Sequence, residues 1–129
     1  MNTLRRFEAA HERGSVEEMR ACFHHDALIE SVASGSRALG PDETAEALRV
    51  ALEDGVYMVY AWEYEELADE VVLSTTRARH RVGRAIRDET VYRVISGRDG
   101  LMWRVMLFRS RDEAVAHLDR YGPRLGLAS

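Results

Sequence analysis

Between Gly14 and Gly40 the chain passes from a short capped helix directly into a strand, and that passage leaves few folds open. Ser15 followed three residues later by Glu18 is a capping box. Val16, Met19 and Phe23 recur on one helical face up to His24, and a β-competent run from Ala27 to Val32 follows. With no linker between them, helix and strand must pack against each other at once. The resulting helix-covered sheet encloses a pocket, which says where chemistry would occur without saying which reaction.

The rest of the chain fits that start. A first helix is expected from Leu4 to Arg13, with Leu4, Phe7 and His11 on one face and Gly14 as its stop. Gly40-Pro41-Asp42-Glu43 opens a third helix: proline suits the first turn, carboxylates favour the N-terminus, and Ala45, Leu48 and Leu52 form its buried stripe before Asp54-Gly55. From Val56 the pattern changes to long β segments, Tyr57 to Leu67, Val71 to Val82, Ala85 to Ser96 and Leu101 to Arg109. Short turns separate them, which predicts an antiparallel meander. Ser110 with Glu113 is a second capping box, starting a last helix whose Ala114, Leu118 and Tyr121 face inward before Gly122-Pro123. The order α-α-β-α-β-β-β-β-α over 129 residues reads as one α+β domain, residues 1–129. Sheets this long curl, and a curled antiparallel sheet closed by helices forms a cone with a small-molecule cavity.

Composition narrows the partners. A net charge of −4 offers no uncompensated positive surface for nucleic acid, and the arginine run from Arg77 to Arg87, with its carboxylate neighbours, reads as a solvated or salt-bridged face. No apolar run approaches the roughly 20 residues that span a bilayer, and Met1 to Arg13 lacks the apolar core of a signal peptide, so a cytoplasmic protein without membrane contact is expected. All 18 basic residues are arginine, which removes Schiff-base and pyridoxal chemistry and hints at a bacterial genome rich in G and C. Cys22 is the only cysteine, placed for burial in a helix. His24-His25-Asp26 with Glu30 offers ligand types for a metal, but adjacent histidines at a helix end point apart and suit the helix dipole. No metal and no cofactor is expected.

Phe23-His24-His25-Asp26-Ala27, Gly40, Arg98-Asp99-Gly100-Leu101 and Ser110-Arg111-Asp112-Glu113-Ala114-Val115 together resemble the cone-shaped α+β barrels of the nuclear transport factor 2-like superfamily, in particular its SnoaL-like branch. The resemblance spans nearly the whole chain. It implies a cofactor-free pocket, within a superfamily that includes isomerases, dehydratases, epoxide hydrolases, polyketide cyclases and non-catalytic members. Laid on the ketosteroid isomerase branch, the general-base aspartate falls on Ser31 and the oxyanion tyrosine on Phe7. The protonated oxyanion acid falls on Tyr92, which keeps a donor. Steroid-type isomerisation by that route is therefore not expected. The paired aspartates of the epoxide hydrolase branch have no counterpart in Arg77 to Arg81, and a dehydratase-like pair would need His80 to meet Asp88.

The isomerase-like register places Leu73, Thr75, Arg77 and Arg79 inside the cone opposite Asp88, Thr90, Tyr92 and Val94, with Trp103, Val105 and Leu107 inward on the last strand. On the strand from Tyr57 the aromatic set Met58, Tyr60, Trp62 and Tyr64 is assigned to the pocket. The expected ligand-binding residues are thus Phe7, Ser31, Tyr60, Trp62, Tyr64, Thr75, Trp103 and Val105. The expected catalytic residues are Tyr92 as oxyanion donor, Asp88 as base and Arg77 as orienting group. The other face of the last strand, Met102, Arg104, Met106 and Phe108, is also apolar, which suggests a homodimer through the sheet. The expected ligand is a small apolar, polyketide-like or weakly anionic molecule, isomerised, cyclised, hydrated or dehydrated. The competing class is a non-catalytic ligand-binding or dimerisation module. An inward histidine or carboxylate beside open cavity would favour the enzyme; Asp88 and His80 outside a filled cone would favour the module.

Overall fold

The computed structural model describes residues 2–32, 34–53 and 57–121. Helix α1 (Asn2–Glu12) ends in a turn at Gly14, whose φ of +66° is the left-handed conformation that glycine adopts without strain. The Ser15 hydroxyl then accepts the Glu18 amide at 3.3 Å and caps α2 (Val16–Arg20), as the capping box requires. The helix stops four residues before His24, where its pattern would have carried it. The reason is tertiary: the Cys22 carbonyl accepts the Met102 amide at 2.9 Å, committing the chain to strand pairing before another helical turn can form.

Strand β1 (Phe23–Ser31) follows, then a short β2 (Arg37–Leu39) that has no clear sequence signal, and α3 (Gly40–Glu53). The long β segments become β3 (Tyr57–Ala68), β4 (Val71–Val82), β5 (Ala85–Arg98) and β6 (Leu101–Phe108). Asp99 and Gly100, with φ of +55° and +76°, turn β5 into β6; two successive positive values are the signature of a tight hairpin whose twist matches its strands. The Ser110 hydroxyl accepts the Glu113 amide at 3.1 Å and starts α4 (Arg111–Tyr121). The expected stops at Asp54-Gly55 and Gly122-Pro123 lie outside the described residues, as does the Tyr121 side chain.

The strands form one curled, unclosed sheet in the order β2-β1-β6-β5-β4-β3. From β3 to β6 it is the expected antiparallel meander. β1 departs from the antiparallel expectation, since it lies parallel to β6, with Phe23 opposite Met102 and Ser31 opposite Leu107. Between Phe23 and Leu28 the register slips, so His24 to Ala27 bulge out of the ladder. The histidines therefore sit in a strand bulge and not at the helix end that their sequence position suggests.

Both faces of the sheet are apolar, and each has its own cover. On the inner face Leu4 of α1 packs with Phe23, Val72, Ile95, Met102 and Val105, and Leu48 of α3 closes over them. On the outer face Leu73, Val94, Met106 and Phe108 pack against Ala114 and Leu118 of α4. Burying each such aliphatic side chain contributes about 1.5–3 kcal/mol, enough to hold a helix of this length on the sheet. Of the apolar residues of β6 that suggested a second subunit, Met106 and Phe108 are covered by the chain's own α4, while Met102 lies in the inner cluster.

Candidate functional site

Which side chains meet the cavity follows from strand register. Ser74 of β4 stands opposite Tyr64 on one side and Arg93 on the other; Arg93 in turn stands opposite Leu107, and Ile95 opposite Val105. Cross-strand partners share a face, so this set points together toward α1 and α3. A slip in the β3–β4 ladder between Val59 and Ala61 shifts the alternation, placing Val59, Trp62 and Tyr64 on that same side.

Between this wall and the helices lies a cavity of about 220 Å³, lined by Leu4, Phe7 and His11 from α1, Thr44, Leu48 and Leu52 from α3, and the inner side chains of the sheet. Most of the lining is hydrocarbon. Polarity gathers where β3 and β5 face α1. Trp62 meets Phe7 edge to face at 80°, centroids 6.3 Å apart, and meets the His11 ring at 79° and 5.6 Å. His11 is therefore held in the wall by aromatic neighbours, one helical turn after Phe7.

The environment sets the protonation of this group. Burial and the nearby Arg93 guanidinium push the His11 pKa below its ordinary 6.5, partly opposed by Glu12, so the imidazole is neutral at pH 7. Tyr64 is driven the other way. Burial and the neighbouring Glu8 carboxylate raise its pKa far above the ordinary 10.0, against the pull of Arg93, and keep the hydroxyl protonated. Arg93 is oriented by a hydrogen bond from its Nη1 to the Thr76 hydroxyl, which donates to the Val91 carbonyl. One end of an apolar cavity thus presents a neutral imidazole, a phenol oxygen and a guanidinium.

Phe7, Trp62, Tyr64 and Val105 line the cavity; the side chain of Tyr60 lies outside the described residues. Tyr92, Asp88, Arg77 and Thr75 are on the other face, which corrects their expected placement. Tyr92 stands opposite Thr75 and Phe108 and packs in the outer cluster beside α4. Asp88 is exposed opposite Arg79, to which it is ion-paired at 3.5 Å, and Arg77 is exposed opposite Thr90. His80 is in register with Arg87, one step away from Asp88, and its side chain lies outside the described residues. The assumed register failed because each face carries an apolar set, Val72 and Ile95 inside and Leu73 and Val94 outside, so alternation alone has no preferred sense.

Trp103 also leaves the cavity wall. Ser96 pairs with Arg104 and Gly97 with Met102, so Trp103 is the extra residue of a bulge. The guanidiniums of Arg98 and Arg104 lie 3.8 and 4.0 Å from its ring centroid. Ser31 stands opposite Leu107 but is not in the wall; its hydroxyl accepts the Ser34 amide at 3.4 Å. His11, Arg93 and Glu8 were not singled out as site residues. His11 was legible, since it shares the Leu4-Phe7 stripe that must face the sheet. Arg93 was hidden by the register error.

Among the described residues, His24, His25 and Asp26 bring ligand-type atoms within 4.8 Å of one another. The hydrogen bonding does not suit a metal. The His24 Nδ1 accepts the Asp26 amide at 3.0 Å, which puts the ring proton on Nε2, where it faces the Asp99 carboxylate at 3.4 Å. A protonated Nε2 has no lone pair to offer, and the imidazole instead fastens the β1 bulge to the Asp99 turn. Among the described residues, no helix is long and apolar enough to cross a membrane.

No protein-family model and no curated protein matches this sequence. Solved structures do. A nuclear transport factor 2-like protein of unknown function from Burkholderia pseudomallei is 16% identical with a TM-score of 0.71, the match covering 90% of this chain and 94% of that one. A candidate polyketide cyclase from Sinorhizobium meliloti is 16% identical with a TM-score of 0.69, covering 84% and 94%. An epoxide hydrolase of the LEH-like type from M. tuberculosis is 19% identical with a TM-score of 0.66, covering 92% and 88%. Identities this low carry the fold and not the activity. With its curled sheet, helices on the inner face and cavity between them, the chain has the fold of the nuclear transport factor 2-like superfamily.

Proposed function

We propose that this protein binds a small, mostly apolar molecule in the cavity beneath α1 and α3 and catalyses proton transfer at an oxygen-bearing end of it, without a cofactor. The observation that carries this reading is the grouping of His11, Tyr64 and Arg93 in the wall of an otherwise apolar cavity. A neutral imidazole is a competent base at pH 7, and its lowered pKa keeps it so under mildly acidic conditions. As it removes a proton next to a carbonyl, negative charge grows on the carbonyl oxygen, and Arg93 is the cation in reach of that charge. The largely hydrocarbon lining lowers the local polarity, which supports both effects. An inward titratable group beside open space supports the enzymatic reading over a passive module, and that group is His11 and not Asp88.

The reaction class is enolisation, the elementary step shared by isomerases and cyclases acting on ketones. A direct test uses 2-tetralone in deuterated buffer, with exchange of its activated hydrogens followed by NMR. The parent protein is expected to accelerate exchange over buffer, and His11→Gln to lose roughly 10²–10⁴-fold of that acceleration, the usual contribution of a positioned general base, while still binding the ketone. Binding without acceleration would leave a non-catalytic carrier. Absence of binding would remove the cavity reading itself.

A further inference from the structure

The sheet ends at β3 in an unpaired edge. Among the described residues β3 pairs with β4 on one side and with no strand on the other, so its outward N–H and C=O groups lack a ladder partner along a strand of 12 residues.

Charge is sorted along this edge hairpin. Glu63 to Glu70, at the β3–β4 turn, holds five carboxylates and no basic residue, whereas Arg77 to Arg87, toward the β4–β5 turn, holds five arginines and no carboxylate. All ten side chains are exposed. Among the described residues the chain pairs one member of each set, Glu65 with Arg111 and Arg79 with Asp88, and leaves the other four of each without an ion pair. The hairpin also keeps the sets apart: from Val72, opposite Glu66, to Arg81 the strand runs roughly 30 Å. Charges that distant are screened from each other, since the Debye length at physiological salt is about 8 Å.

Charged side chains on an edge strand commonly keep other strands away. A sorted pattern does so selectively. It repels a second copy laid parallel, acid on acid and base on base, but attracts one laid antiparallel, where the acidic half of each β3 lies beside the basic end of the other. That arrangement has a two-fold axis, so both halves are matched at once. The faces agree as well: Glu63 stands opposite Thr75, and Arg77 lies two residues on from Thr75, so both belong to the outer side of the sheet.

We infer that β3 is the docking edge for a second copy of this chain, paired antiparallel about a two-fold axis, with Glu63 of each copy set toward Arg77 of the other. The two six-stranded sheets then continue into one. This edge, and not the face that α4 occupies, carries the complementary charge.

Sedimentation equilibrium of the parent, of Glu63→Arg, of Arg77→Glu and of an equimolar mixture of the two variants tests this. The parent is expected to dimerise, and to do so more weakly as salt rises from about 0.05 M to about 0.5 M. Each variant alone sets like charges together at both symmetric positions and is expected to lose roughly tenfold in dimer affinity. The mixture restores opposite charges at both positions, so a heterodimer within about threefold of the parent affinity is expected. Rescue between two chains is a result that neither misfolding nor a contact within one chain can produce. A parent that stays monomeric, a dimer constant that ignores both substitutions, or a mixture as weak as its components would overturn the assignment.

Discussion

The rings of His11 and Trp62 meet at 79° with centroids 5.6 Å apart, joining the first helix to the edge strand of the sheet inside the cavity wall. An imidazolium quenches a neighbouring indole, whereas a neutral imidazole does so weakly. Lowering the pH is therefore expected to dim the emission of Trp62 with a midpoint below 6.5, because burial and Arg93 hold the His11 pKa down. Fluorescence titration of the parent and of His11→Gln checks this. The step should vanish in the variant, and a midpoint above 6.5 would contradict the environment described for His11.

The same depressed pKa ties stability to pH with a definite sign. In the unfolded chain His11 takes up its proton near 6.5, while in the folded protein it resists until a lower pH, so the unfolded state binds more protons across that window. The contribution is present above 6.5 and is lost as pH falls toward the folded value. His11→Gln removes it. Between pH 7.5 and pH 5.5 the melting temperature of the parent is expected to fall further than that of the variant, as differential scanning calorimetry on both would show.

Facing can be checked by indifference. Arg77, Asp88 and Thr75 belong to the outer side of the sheet, away from the cavity. Arg77→Ala, Asp88→Asn and Thr75→Ala are each expected to leave 2-tetralone binding and exchange within about twofold of the parent, and the exposed Arg77→Ala and Asp88→Asn to leave stability within about 0.5 kcal/mol, as for surface changes generally. A tenfold loss in either assay from any one of them would mean that the strand register is wrong.

Leu73 is 2% exposed in the cluster beneath α4. Truncation to Ala leaves a void between helix and sheet that neither can easily collapse, and is expected to cost about 2–5 kcal/mol in urea unfolding. Affinity for 2-tetralone measured at a temperature where the variant is folded should be unchanged, since Leu73 and the cavity lie on opposite sides of the sheet.

Local features of the fold were legible and long-range ones were not. Ser15 and Ser110 cap helices where their spacing says, and Asp99-Gly100 makes its hairpin, because each depends only on residues a few positions away. The end of α2 was misread because Met102, far along the chain, claims the Cys22 carbonyl. The site divided in the same way. Phe7, Trp62, Tyr64 and Val105 were found as apolar positions on recognisable elements, while Tyr92, Asp88 and Arg77 were misplaced by one step of strand parity. With apolar side chains on both faces, and bulges on β3 and at Trp103, periodicity could not say which side was the inside.

The parallel pairing of β1 with β6 has a consequence for how the molecule comes into being. The meander from β3 to β6 joins neighbours in sequence and can form as soon as each hairpin is complete, but Phe23 has no partner until Met102 is available. During synthesis, the inner wall would stand uncovered on that side until most of the chain has emerged. Closing this long loop is the slow, entropically costly step, so a lesion in β6 should reduce the yield of soluble protein more than an equally destabilising one in the β3–β4 hairpin. The cavity wall is then complete only once β6 has been made.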